Sequence, residues 1–61
     1  MPIISFEGPE LTREQKKQLA SNFTKSAHQV LPQISENAFI VLIQESHPDN
    51  VAVGGKLLSE Q

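Results

Sequence analysis

Residues 38–43 read Ala-Phe-Ile-Val-Leu-Ile, an unbroken apolar run of six. The run is too short and too rich in β-branched side chains for a helix, so it reads as a strand. Continuous apolarity implies cover on both faces, as in a parallel strand lying beneath a crossover helix. A strand of that kind requires a partner strand and a crossover upstream, and the preceding residues supply both.

Residues 2–7, Pro-Ile-Ile-Ser-Phe-Glu, alternate in the manner of a strand. Ile4 and Phe6 share one face; Ile3, Ser5 and Glu7 share the other. Gly8 and Pro9 end the strand. Next comes Thr12-Arg-Glu-Gln15, a capping box in which Thr12 and Gln15 satisfy free backbone N–H groups, while Glu14 suits the positive end of the helix dipole. The helix is expected from Arg13 to about Leu31. Leu19, Ala20, Phe23, Ala27, Val30 and Leu31 form its single apolar stripe, and Pro32 stops it by disfavouring α geometry at Leu31. Strand, helix and strand in this order make one β-α-β unit of the α/β class with a right-handed crossover. Downstream, Ser46 to Asn50 reads as a loop, Val51 to Val53 as a brief extra strand, and Gly54-Gly55 as a turn with positive φ. Lys56 to Gln61 reads as a short tail. The charges from Arg13 to Lys17, including the only arginine, read as a solvated helix face, and Phe6, Phe23 and Phe39 as packing residues.

Sixty-one residues make one domain, 1–61. A chain of this size buries only about 60% of its unfolded surface and needs disulfides, a metal or oligomerisation to be stable. There are no cysteines and two histidines. Disulfides and thiolate zinc sites are thereby excluded, and His28 and His47 are too few for a structural metal site. His28 reads as a boundary residue beside Ala27. His47 with Asp49 does not make a metal site, and no metal or cofactor is expected. Gly54-Gly55 lacks the context of a phosphate loop. Assembly remains. One β-α-β unit covers one sheet face with its own helix, so the other face must meet another chain, with Ile40, Leu42 or their neighbours between subunits. The net charge of −2 and five scattered basic residues argue against nucleic acid as a partner. No apolar stretch approaches a membrane span, and no signal peptide is visible, so the expected location is cytoplasmic.

Pro2 is the candidate catalytic residue. A small second residue allows the initiator methionine to be trimmed, leaving a prolyl N-terminus. A free α-amino group titrates near about 7.7–8.0, and apolar surroundings such as Ile3, Ile4 and Phe6 lower that value by disfavouring the cation. An amine so poised is an effective general base at neutral pH.

Met1-Pro2-Ile3 at the start, Glu7-Gly8 after the first strand, Glu14-Gln15-Lys16 entering the helix, Ile40-Val-Leu-Ile43 leading to Glu45, and Val53-Gly54-Gly55 near the end together resemble the 4-oxalocrotonate tautomerase family. These are the small tautomerases that use an N-terminal proline, and the resemblance covers nearly the whole chain. It implies a tautomerase-like β-α-β protomer with a short C-terminal hairpin, assembled as a homohexamer built as a trimer of dimers. It also implies an isomerase that moves a proton between the enol and keto forms of a small 2-keto acid, with Pro2 as general base and acid. Three positions depart from the family. Its arginines before the helix and in the second strand align with Leu11 and Ile40, and its aromatic residue before the Gly-Gly turn aligns with Val51. Arginine grips a carboxylate through two parallel charge-assisted hydrogen bonds. Its absence argues against a dicarboxylate substrate and leaves a monocarboxylate or aryl enol. Arg13, two positions past the helix-start site, reads as a solvated side chain, and Lys56 as a surface lysine. A non-catalytic or hetero-oligomeric subunit on the same scaffold is the alternative. Hydration or dehalogenation of an unsaturated acid is a third reading, and no carboxylate stands out to activate water for it.

Overall fold

A computed structural model describes residues 1–61. Strand β1, Ile3–Gly8, is followed by helix α1, Arg13–Val30, and strand β2, Ile40–Glu45. The two strands pair in parallel with Ile3 opposite Ile40 and Gly8 opposite Glu45, which is the expected β-α-β unit. Two-residue strands β3, Ala52–Val53, and β4, Lys56–Leu57, then pair antiparallel.

Local signals set the helix ends. Thr12 Oγ1 accepts from the Gln15 N–H at 3.1 Å, and Gln15 Oε1 accepts from the Thr12 N–H at 3.0 Å, so the reciprocal cap forms as expected. At the other end the Leu31 N–H still reaches the Ala27 carbonyl at 2.9 Å. Leu31 itself leaves helical geometry, at φ −122° and ψ 65°, under the steric demand of Pro32.

The helix covers one sheet face. Ile4 and Phe6 are half-buried, whereas Ile3, Ser5 and Glu7 are exposed. The Phe6 and Phe23 rings meet at 6.1 Å between centroids, which pins the middle of the helix to the middle of β1. Gly8 ends β1 because this face is crowded: a Cβ there would stand 2.8 Å from the Phe6 ring.

Three sequence expectations are corrected. The second strand lies two residues later than the apolar run, because Ser35 Oγ accepts from the Asn37 N–H at 3.3 Å and caps a 3₁₀ turn over Glu36–Ala38. That turn takes the start of the run out of the sheet, and polar Gln44 and Glu45 complete the ladder against Glu7 and Gly8. The expected loop holds a 3₁₀ turn at Pro48–Asn50, with His47 Nδ1 accepting from the Asp49 N–H at 3.1 Å. The expected tail is ordered as β4 and a 3₁₀ turn over Leu58–Glu60. Its hairpin turns at Gly54 (φ 61°) and Gly55 (φ 84°), a two-residue loop with positive φ at both positions, matching the twist of paired strands.

The protomer encloses no dry core, since none of its 61 residues is fully buried. Its radius of gyration is 14.9 Å, against about 10–11 Å for a compact chain of this length. Ile3 and Leu42 are 57% and 53% exposed on the uncovered sheet face. No helix is long and apolar enough to cross a membrane.

Candidate active site

Pro2 leads into β1 and is half-buried, while Met1 ahead of it is 88% exposed. The Pro2 carbonyl accepts from the Ile40 N–H at 3.0 Å, so the sheet's hydrogen bonding begins at this residue. Its nitrogen takes no part in the ladder. The register begins with Ile3 opposite Ile40, and carried one step back it would set Pro2 against Phe39. Alternation puts both side chains on the helix-covered face. Phe39 in turn meets His28 of the last helical turn edge-on, with ring centroids 6.4 Å apart. His28 Nδ1 donates to the Ile34 carbonyl at 2.8 Å. His28 is thus the half-buried boundary residue its position suggested, tied to the chain that follows the helix.

The positively charged groups gather at the other end of the sheet. Arg13 and Lys17 lie in the first turns of α1, beside the end of β1, and are exposed. Lys16 departs from the solvated face expected of it: its Nζ donates to Glu45 Oε1 at 2.9 Å. The other carboxylate oxygen of Glu45 accepts from the Leu11 N–H at 2.7 Å. These hydrogen bonds, first the backbone one and then that from Lys16, hold the Glu45 carboxyl below the usual carboxylate range. Glu45 stands out in the sequence only through the family resemblance, because its partners are 34 and 29 residues away. Lys25 is exposed and two positions past Phe23, which turns it about 200° around the helix from the sheet. Lys56 is exposed on β4.

The three apolar departures are therefore distributed. Leu11 is half-buried in the loop before the helix; Ile40 opens β2 beside Pro2; Val51 is half-buried and accepts from the Leu58 N–H at 2.9 Å. The one concavity of the protomer, about 270 Å³, is lined by Leu11, Gln15, Gln18, Leu19 and Asn22. It belongs to the first half of the helix, so the protomer alone does not enclose Pro2.

Comparison with known proteins decides the family. The family model described as "Tautomerase enzyme" matches residues 2–61. The chain belongs to the tautomerase family. Among curated proteins no relative is found at significant similarity. Solved structures resemble this tautomerase-family chain over nearly its full length. YwhB, a homologue of 4-oxalocrotonate tautomerase, is 33% identical with a TM-score of 0.87, over 98% of each chain. TomN, a homologue in the tomaymycin biosynthetic pathway, is 27% identical with a TM-score of 0.87, over 97% of this chain and 91% of its own. A heterohexamer 4-oxalocrotonate tautomerase from Chloroflexus aurantiacus J-10-fl is 26% identical with a TM-score of 0.85, over 98% and 97%. The tautomerase fold inferred from the residues is thus the fold of this chain.

Proposed function

We propose that residues 1–61 form a single tautomerase domain that interconverts the enol and keto forms of a 2-keto acid, with Pro2 as the proton carrier once Met1 is removed. The observation that carries the reading is that the family match begins at Pro2. That residue also stands half-buried at the sheet's open end, with its nitrogen outside the hydrogen-bond ladder. In ketonisation the neutral prolyl nitrogen accepts the enol hydroxyl proton as the C–O bond becomes a carbonyl. The resulting prolinium returns a proton to the adjacent carbon, forming its C–H bond as the C–C double bond is lost. The chemistry requires an amine that is neutral near working pH, and an apolar setting lowers the amine pKa.

The substrate class follows from the charges. Arg13 and Lys17 stand at the far end of the fold, Lys16 is bonded to Glu45, and Ile40 occupies the strand position next to Pro2. A dicarboxylate finds no pair of cations there within the protomer. A monocarboxylate or aryl enol, whose apolar body needs no pair of cations, fits better. The uncovered sheet face and the absence of a fully buried core support a homo-oligomer, on the family pattern a hexamer built as a trimer of dimers.

The test is phenylenolpyruvate ketonisation by the mature protein, by Pro2→Ala and by a form that retains Met1. Activity in the first alone is expected. Equal rates in all three would end the proposal, since an acylated proline nitrogen has no basicity. The apolar residues at Leu11, Ile40 and Val51 favour a second reading, a subunit of a mixed oligomer whose cations come from another chain. The heterohexameric relative gives mixed assembly a precedent. Intact mass measurement after co-purification separates the two: a second small chain in fixed ratio indicates the mixed assembly.

A further inference from the structure

We propose that His28 is a positioning residue for Pro2, acting through Phe39; the inference rests on the reading of Pro2 as the base. The register carries the first link. β1 and β2 pair with Ile3 opposite Ile40, and the Ile40 N–H reaches the Pro2 carbonyl at 3.0 Å. Phe39 is extended, at φ −79° and ψ 137°, and its ring meets His28 of the helix, which puts it on the helix-covered side. Neighbouring strands are about 4.8 Å apart, and half-buried Pro2 continues the helix-facing alternation of Ile4 and Phe6. The nitrogen of proline lies within its own side-chain ring, so whatever packs on that ring sets the solvation of the nitrogen.

The second link is the His28 ring, edge-on to Phe39 at 6.4 Å, a favourable arrangement for two π systems. That ring is itself fixed. A carbonyl only accepts, so the 2.8 Å contact with Ile34 requires a proton on Nδ1. His28, bonded across the helix end to Ile34, holds Phe39 on the prolyl ring. Phe39 in turn keeps water from the amine and its pKa low. The other titratable groups nearest in the chain, Lys25 one turn earlier and Glu36 in the 3₁₀ turn, are exposed. The helix-face neighbours Ile4, Phe6, Val41 and Ile43 carry no charge.

The experiment is an NMR titration of the Pro2 ring in the Met1-free oligomer labelled at proline, with kcat/KM for phenylenolpyruvate measured alongside across pH. His28→Ala is expected to raise the Pro2 pKa by about half a unit to one unit, which leaves about three- to tenfold less neutral amine at pH values below both. The acid limb of kcat/KM should move by the same amount. His28→Phe restores a ring against Phe39 and is expected to recover most of the low pKa. An unchanged Pro2 titration in folded His28→Ala overturns the proposal, and so does a His28→Phe variant shifted as far as His28→Ala. If His28→Ala loses its helical circular dichroism, Phe39→Leu takes its place, with the same upward shift expected and an unchanged titration equally fatal. Full activity in Pro2→Ala would instead defeat the base reading, while the coupling between His28 and the proline ring is still judged by the titration alone.

Discussion

The β-α-β body, residues 2–46, and the C-terminal arm, residues 47–61, are held in different ways. In the body, a parallel ladder of six residue pairs, a Phe6–Phe23 contact and the bonds of Glu45 to Leu11 and Lys16 join parts far apart in the chain. In the arm, every hydrogen bond stays inside the arm: Asn50 to His47, Leu58 to Val51, Leu57 to Glu60, Gln61 to Leu58. No hydrogen bond or ion pair ties the arm to the body. Its 3₁₀ turns and two-residue strands are short-range structures, marginal by themselves in water. The body thus defines the protomer, whereas the arm and the uncovered sheet face define what the protomer must meet. A 61-residue chain with no fully buried residue has moved much of its apolar burial outside itself.

Four substitutions break or sharpen that contrast. The largest effect is expected from Leu42→Asp, which puts a charge in the middle of the uncovered face; an unpaired charge is not tolerated under a partner. Sedimentation should show the assembly reduced to its smallest species, and helical circular dichroism should fall with it. Retention of the native sedimentation profile would mean that this face is free. Phe23→Ala removes the contact that holds the helix to β1. A fully buried aromatic costs about 3–5 kcal/mol on truncation, so about 2 kcal/mol is expected for this half-buried one, read as a lower urea midpoint. Gly55→Ala acts on the arm alone. Its φ of 84° is a conformation that L side chains avoid at about 1 kcal/mol. Assembly should weaken while the helical signal per chain stays unchanged. The smallest effect belongs to Glu45→Gln. The Glu45 carboxyl sits below its usual range because its charged form accepts from the Leu11 N–H and Lys16. Its stabilisation is therefore complete above the ordinary carboxylate value and lost as pH falls through the lowered one. Urea midpoints of wild type and Glu45→Gln should differ at neutral pH and converge in acid, as pH falls through the lowered carboxyl value.

The body was the more legible part because its signals are local. Thr12 with Gln15, Glu14, the apolar stripe through Phe23 and Ala27, and Pro32 all act within a few residues, and the helix ends where they place it. The second strand was displaced because apolarity alone does not distinguish a strand from the turn leading into it. Ser35 decided that boundary through one side-chain hydrogen bond. The arm was half-read: Gly54-Gly55 marked the turn, yet Lys56 and Leu57 carry no strong strand pattern and became β4 only by facing Ala52 and Val53. At the candidate site, Pro2 could be picked out from its position behind Met1. The ring pair of His28 and Phe39 could not, because its members meet only in the fold, and the partner of Lys16 lies 29 residues away.

The residue order by itself determined the two strands, the single helix with its capped start and proline stop, the glycine turn, and the need for cover beyond the chain's own helix. Hydrogen bonds and sterics spanning no more than about one helical turn settle such features. Only the tertiary structure decided that Phe39 and His28 gather at the Pro2 end and that Glu45 clamps Leu11 and Lys16 at the other. Those groupings depend on the register of two strands 37 positions apart, Ile3 against Ile40. A one-residue slip in that register turns every side chain to the opposite face, so no property of the separate segments specifies them.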